Sequence, residues 1–188
     1  MARKHTFVSY TLYAFSQSEL KRLLLACPTA ADYIMILLGS RCGFRREDIV
    51  NLKIPNIDLQ NGTITYHEKK KNKDRTIPLE PDVISELRKY LSTVSKDQGD
   101  RLLPFHDGTT AWRHLQEICE IAGIPVPVGR TGRPFHSLRG TCVKQRQAQG
   151  WNLNEVAALI GDEPETVAQH YATVTSGELA DKMRGESV

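Results

Sequence analysis

The sequence lacks the features of a membrane-anchored or secreted protein. It has no apolar run long enough to cross a bilayer, and its N-terminal stretch, residues 1–5, lacks the apolar core of a signal peptide. We therefore expect a protein without a membrane anchor, located in the cytoplasm.

Cysteine is sparse, and its spacing suggests neither a disulfide framework nor a metal site. The four cysteines form no CxxC pair and have no histidines at the spacing of zinc ligands. We expect reduced thiols, as is typical of cytosolic proteins, and no bound metal. The cysteines are Cys27, Cys42, Cys119 and Cys142.

Acidic residues are missing from one long segment, although the whole chain is only mildly basic. The formal net charge of +3 is too small to indicate a nucleic-acid partner by itself. No acidic residue lies between Glu120 and Glu155, and a second basic cluster is diluted only by Asp74. Two such clusters favour an anion-binding face. They comprise Lys69, Lys70, Lys71, Lys73 and Arg75, and Arg130, Arg133, Arg139, Lys144 and Arg146.

Helical periodicity dominates the chain. At 188 residues and 40% hydrophobic content, it can form one domain with a core, which we place at residues 16–188 after a tail over 1–15. Ser16 and Asn152 begin capping boxes, and Thr29 and either Thr109 or Thr110 are candidate N-caps. Predicted helices lie within residues 19–27, 29–38, 45–52, 81–91, 109–122, 135–149, 153–160, from about 162 through Tyr171, and about 176–184.

The periodicity changes to two in the middle of the chain. It predicts strands over residues 54–59, 63–67 and 75–79, joined by Asn61-Gly62 and by the lysine-rich turn. The stretch 92–107 is polar and is expected to be a surface connection. The fold class is therefore α+β, mainly α-helical, with a small three-stranded antiparallel sheet.

His136 and Arg139 lie three residues apart in a predicted helix and would share one face. Such a pair can bind two oxygens of one phosphate, although HxxR is also common in surface salt bridges. Arg45, at the start of another helix, is a candidate second arginine. Two guanidinium groups would neutralise the charge that builds on a pentacovalent phosphorus.

Four segments, in order and in spacing, resemble the tyrosine recombinases, also called phage-type integrases. Residues 43–52 resemble the first arginine box, and residues 64–79 resemble the lysine-bearing β-hairpin. The segment 136–141 is similar to the HxLRHT box. Residues 159–161, followed ten residues after Gly161 by Tyr171, resemble the nucleophile box. Single boxes are weak signals, whereas the ordered set is specific.

The resemblance implies the tyrosine recombinase catalytic-domain fold and a division of labour. Tyr171 would attack a DNA phosphate and form a 3′-phosphotyrosyl link, releasing a 5′-hydroxyl that later reverses the step without ATP, metal or cofactor. Arg45 and Arg139 would bind the non-bridging oxygens, and His136 would assist proton movement or hold the phosphate.

The same resemblance implies that a hairpin lysine protonates the leaving oxygen. The position of this lysine, counted back from Arg75, is Lys70, whereas the commonest family spacing counted forward from Arg45 allows Lys69. We prefer Lys70. The partner would be double-stranded DNA, on which the chain would assemble as an oligomer from free monomers. The expected DNA-binding residues are Lys69, Lys71, Lys73, Arg75, Arg130, Arg133 and Lys144. An N-terminal core-binding domain, usual in the family, is expected to be absent.

One departure from the family pattern concerns Asp162, which stands where histidine or tryptophan usually donates a hydrogen bond to the phosphate. An ionised carboxylate cannot donate and would repel the phosphate, so activity would be reduced. With Pro164 and Glu165 following, we expect Asp162 to be an N-cap. The sixth catalytic position would then be vacant or filled from elsewhere, with His170 a weak candidate.

These observations favour a site-specific DNA recombinase or integrase catalytic domain. A DNA-binding pseudo-recombinase with impaired catalysis is an alternative because of Asp162, and a topoisomerase of type IB would use the same chemistry. A helical domain with scattered basic residues and no role on DNA would require all four boxes to be accidental.

Overall fold

The computed structural model describes residues 14–68, 71–125, 134–170, 180 and 183–184. Within these residues the chain forms eight α-helices and one three-stranded antiparallel sheet, which confirms the predicted fold class. The helices are α1 (Gln17–Leu25), α2 (Ala30–Cys42), α3 (Arg46–Val50), α4 (Pro81–Leu91), α5 (Gly108–Ile121), α6 (Pro134–Ala148), α7 (Leu153–Ile160) and α8 (Pro164–His170). The strands are β1 (Ile57–Asp58), β2 (Thr63–Glu68) and β3 (Lys73–Pro78), in the order β1-β2-β3.

Helix α2 is the centre of the core, and its apolar run 34–38 is buried throughout. Helix α6 packs closely against it because Gly39 has no side chain. A Cβ atom at Gly39 would lie 2.9 Å from Cδ1 of Leu138, closer than a carbon contact permits. This close approach brings Arg139, the residue after Leu138, to the C-terminal end of α2.

A second apolar cluster joins α7 and α8 to α6. It includes Cys142 and Val143 of α6, Val156 and Ile160 of α7, and Val167 of α8, all buried. Gly43, at the end of α2, has a left-handed backbone, and a Cβ there would lie 2.6 Å from Cγ2 of Ile160. The C-terminal ends of α2 and α7 are therefore neighbours.

The helix starts follow local side-chain chemistry. Ser16 and Asn152 form the predicted capping boxes with Glu19 and Glu155, and Thr29 accepts a hydrogen bond from a main-chain N–H of α2. The predicted cap of α5 was wrong. Asp107, not Thr109 or Thr110, begins that helix, because its carboxylate accepts the N–H of Thr110 at 2.7 Å.

The sheet agrees with the predicted hairpin but not with the first strand. Strands β2 and β3 pair with Ile64 opposite Ile77 and Tyr66 opposite Arg75. The predicted strand 54–59 is instead a 3-10 turn over Ile54–Asn56 followed by the two-residue β1. Pro55 explains the difference, since it has no N–H to donate to a sheet.

Two segments expected at the surface contribute to the core. Leu102, Leu103 and Phe105 are buried within the predicted polar connection, and the hydroxyl of Tyr90 donates to the carbonyl of Leu102 at 2.9 Å. Phe15, assigned to the tail, is also buried, and its N–H donates to Oγ1 of Thr141 at 2.8 Å. Three buried apolar residues attach the first segment to the core, and Phe15 attaches the second.

Several predictions fall on residues outside the description. These include nearly all of the tail and most of the last predicted helix, of which Ala180, Met183 and Arg184 are helical. Most of the segment between the predicted helices 109–122 and 135–149 also lies outside the described residues. Among the described residues no helix has the length and apolar character needed to cross a membrane.

Candidate active site

Arg45 is fixed by the sharp turn between α2 and α3. The left-handed Gly43 ends α2, and Arg45 then occupies the N-cap position of α3, where its N–H donates to Oδ2 of Asp48 at 3.3 Å. Burial raises the pKa of the Asp48 carboxyl, an effect that nearby Arg45 opposes. Because its backbone is held by this turn, Arg45 directs its side chain toward the end of α7.

Arg139 is almost completely buried, with 2% of its side chain exposed. Its Nη1 donates to the carbonyl oxygens of Gly43 at 2.5 Å and Ile160 at 2.8 Å. These two carbonyls belong to the adjoining ends of α2 and α7, so Arg139 ties both ends to α6. His136, three residues earlier on α6, is half-buried.

The two arginines meet at the carboxylate of Asp162. Nη2 of Arg45 donates to Oδ1 at 2.6 Å, and Nη2 of Arg139 donates to Oδ2 at 2.5 Å. Arg45 and Arg139 therefore lie close enough to share one carboxylate. Their predicted binding of a phosphate stays a prediction. Asp162 was expected to be an N-cap. Helix α8 begins two residues later, at Pro164, and the side chain of Asp162 binds the partly exposed Arg45 and the buried Arg139.

Asp162 is positioned by the end of α7. Gly161 has a left-handed backbone, with φ of 76°, and the N–H groups of Gly161 and Asp162 both donate to the carbonyl of Ala157. A Cβ atom at Gly161 would also overlap the guanidinium of Arg75. Glycine is thus required both for the turn and for the space beside it.

Glu68 completes the arginine cluster, and sequence reasoning missed it. It is the last residue of β2, its side chain is 0% exposed, and Oε1 accepts from Nη1 of Arg45 at 2.8 Å. Its other oxygen lies 3.8 Å from Nη1 of Arg75. The sequence did contain a signal for its burial. Side chains alternate between the two faces of a strand, so position 68 shares the buried face of Ile64 and Tyr66.

Arg75 was predicted to contact DNA, but its side chain lies mostly inside the protein. Its side chain is 13% exposed, and it donates to the hydroxyl of Tyr66 and to the carbonyls of Ala158 and Leu159. Arg75 therefore fastens the hairpin to the end of α7 through hydrogen bonds of Nη1 and Nη2.

The other predicted basic residues differ in their surroundings. Lys71 forms an ion pair of 2.6 Å with Glu163, and this hydrogen bond lowers the pKa of the Glu163 carboxyl. Lys73 is exposed on β3, and Lys144 is half-buried on α6. His170 is exposed at the end of α8. The remaining predicted site residues, Lys69, Lys70, Arg130, Arg133 and Tyr171, lie outside the described residues.

Comparison with known proteins gives the family. Residues 14–178 match the sequence model of the Phage integrase family. The chain belongs to this family. Among curated phage integrase relatives, the tyrosine recombinase XerA of Pyrococcus furiosus is 27% identical over 181 residues, which cover 89% of this chain and 59% of the relative. XerA of Thermococcus kodakarensis is 27% identical over 192 residues, covering 92% and 65%.

Solved structures of integrases and recombinases share the fold of this chain. The crystal structure of a XerA recombinase superposes with a TM-score of 0.77 at 22% identity, covering 95% of this chain and 67% of the other. The catalytic domain of bacteriophage HP1 integrase gives a TM-score of 0.66 at 19% identity, covering 92% and 94%. The chain spans less than two thirds of the length of the curated relatives named above.

Proposed function

We propose that this chain carries the catalytic domain of a site-specific DNA recombinase or integrase. Tyr171 would attack a backbone phosphorus, forming an O–P bond while the bond to the 5′ oxygen breaks. The 5′ oxygen takes a proton and leaves as a hydroxyl, and religation reverses these steps with a hydroxyl from the same or another strand. Because the number of phosphodiester-type bonds is conserved, no ATP is needed.

The convergence of Arg45 and Arg139 on one carboxylate supports this proposal most directly. A carboxylate offers two oxygens to two guanidinium groups, as a phosphodiester offers its two non-bridging oxygens. Both arginines are held by contacts of the main chain on separate elements, so the arginines themselves would reorganise little when an anion binds. Preorganised positive charge of this kind stabilises a transition state whose negative charge increases.

The remaining catalytic roles follow the family pattern. His136, one helical turn before Arg139, would move the proton of the attacking tyrosine or hold the phosphate. A hairpin lysine, Lys70 in preference to Lys69, would donate the proton to the leaving 5′ oxygen. The ordered contacts of Glu68 and Arg75 would hold the hairpin base against α7.

DNA binding would use the predicted basic residues other than Arg75. Double-stranded DNA is the proposed partner, since related structures contain a XerH recombinase bound to its difH substrate and a lambda integrase dimer bound to a COC′ core site. We propose a monomer that assembles on DNA in the cytoplasm. Phosphate contacts would make affinity fall steeply with salt. The proposed contacts are Lys69, Lys71, Lys73, Arg130, Arg133 and Lys144, whereas Arg75 is assigned to the domain interior.

The test is capture of a covalent protein–DNA adduct. A pool of nicked duplexes with randomised flanking sequence would act as suicide substrate, because the short 5′-hydroxyl fragment diffuses away after cleavage. The wild type should give an adduct that survives denaturing electrophoresis, and Tyr171→Phe should give none. Tyr33→Phe, the same change on α2, should behave as the wild type. An adduct from Tyr171→Phe would contradict the proposed nucleophile.

A DNA-binding protein without turnover is the second candidate, and the contacts of Asp162 favour it. One carboxylate already binds both arginines, so cleavage could be lost while the basic surface persists. This alternative predicts that the wild type shifts duplex DNA in a gel at low salt and gives no adduct. It also predicts that Asp162→His, which supplies a donor, gives none.

A further inference from the structure

The carboxylate of Asp162 occupies the place between two guanidinium groups where the proposed function requires a phosphate. Its two oxygens are divided between Arg45, at 2.6 Å, and Arg139, at 2.5 Å. The side chain is only 8% exposed, so these contacts are formed away from bulk water, where ionic hydrogen bonds are strong.

The backbone keeps this carboxylate in place. The turn at Gly161 closes α7 with hydrogen bonds from Gly161 and Asp162 to the carbonyl of Ala157, at 2.8 and 3.1 Å. The carbonyl of Gly161 accepts from Nη2 of Arg45 at 3.3 Å. The main chain at Asp162 is therefore part of the end of a helix, so removal of the carboxylate from the arginines would require rotation about its side-chain bonds.

Two carboxylates bind the two arginines. Glu68 binds Nη1 of Arg45 at 2.8 Å, and Asp162 binds Nη2 of both Arg45 and Arg139. A phosphate that approached the two Nη2 groups would meet the negative charge of Asp162 first. The phosphate can therefore use the two Nη2 groups only if the carboxylate leaves them.

We propose that Asp162 is an internal competitor for the phosphate site, a residue that a DNA phosphate must displace to reach Arg45 and Arg139. This inference rests on the proposed function for the identity of the ligand. It makes Asp162 a specificity-determining residue. Free phosphate and other small anions gain contacts at this site alone, whereas a duplex adds many backbone contacts with the basic surface and releases counterions.

Binding of inorganic phosphate to the free chain tests the competition without requiring DNA cleavage. Asp162→Asn keeps the shape of the side chain and removes its charge. We expect the dissociation constant for phosphate to fall by at least about tenfold relative to the wild type, an effect of about 1.4 kcal/mol. The measurement is the phosphate-dependent rise in unfolding temperature, at constant ionic strength, which follows from the ratio of ligand to dissociation constant.

Glu165→Gln is the matched control, because it makes the same change in net charge at an exposed position on α8. It should bind phosphate as the wild type does. Asp162→Asn leaves a buried arginine without its charged partner, and if the variant is less stable for this reason, phosphate should restore its stability. Asp162→Ser is a second variant for the same measurement.

The proposal is wrong if neither Asp162 variant gains phosphate-dependent stabilisation over the wild type, or if Glu165→Gln gains as much. A wild type that forms no DNA adduct would contradict the proposed function alone. Tighter phosphate binding by Asp162→Asn would in that case still support a masked anion site, so the two failures are distinguishable.

Discussion

Replacing Gly43 by alanine should destabilise the fold by more than its backbone conformation alone explains. Gly43 ends α2 with φ of 67°, and a Cβ there would lie 2.6 Å from Cγ2 of Ile160 and 3.3 Å from Sγ of Cys142. Both neighbours are buried, so neither can move into solvent. The methyl group would therefore separate the ends of α2 and α7 that carry the arginine site.

The chain contains a matched control for this substitution. Gly99 has the same φ of 67°, but a Cβ there would meet no atom within 4 Å. For Gly99→Ala we expect a net cost of about 1 kcal/mol, from a left-handed strain of about 1–2 kcal/mol partly offset by lower entropy of the unfolded chain. Overpacking adds about 1–3 kcal/mol, giving about 2–4 kcal/mol for Gly43→Ala.

Equilibrium urea unfolding of the wild type and the two variants measures these costs. The midpoint should fall for both, and further for Gly43→Ala, without a change in the dependence on urea. The loss is significant against a domain stability of about 5–15 kcal/mol. If Gly43→Ala costs no more than Gly99→Ala, the close contact between α2 and α7 is not as described, and the proposed origin of the arginine geometry fails with it.

Two further predictions concern ionisable groups. The hydrogen bond from Arg146 lowers the pKa of the Glu80 carboxyl below its ordinary value of 4.5. The stability that this ionised carboxylate contributes is therefore complete above pH 4.5, and it is lost as the pH falls through the lowered pKa of the folded protein. Glu80→Gln should therefore cost about 1 kcal/mol at neutral pH, and urea unfolding should show the difference disappearing in acid; a constant difference would contradict this. Burial raises the pKa of the Cys27 thiol to about 12, so the native protein should react slowly with a disulfide reagent at neutral pH, with partly buried Cys27 ahead of the buried thiols. Rapid labelling before unfolding would contradict it.

Features that depend on neighbouring residues were predictable. The capping boxes at Ser16 and Asn152 and the pairing of β2 with β3 need only side chains a few positions apart. The cap of α5 was assigned to a threonine because Thr109 and Thr110 have the right chemistry, and Asp107 has it too. Local rules identified the region of the helix start but did not choose between adjacent caps.

Burial of isolated residues was harder to predict. Leu102, Leu103 and Phe105 lie in a polar stretch without a regular period, and only the surrounding helices show that they enter the core. Glu68 presented the opposite difficulty, because a carboxylate next to lysines usually faces water. Its burial depends on Arg45, which is distant in the chain and near in space.

The sequence by itself determined the helical periodicity, the two basic clusters and the four ordered boxes that resemble the tyrosine recombinases, since each is a pattern of residue types along the chain. Tertiary structure alone decided what stands between Arg45 and Arg139. The close contact at Gly39 joins α2 to α6, and the turns at Gly43 and Gly161 bring the C-terminal ends of α2 and α7 together. Asp162 then binds both arginines. Such long-range contacts depend on how helices pack, and local periodicity does not encode that geometry.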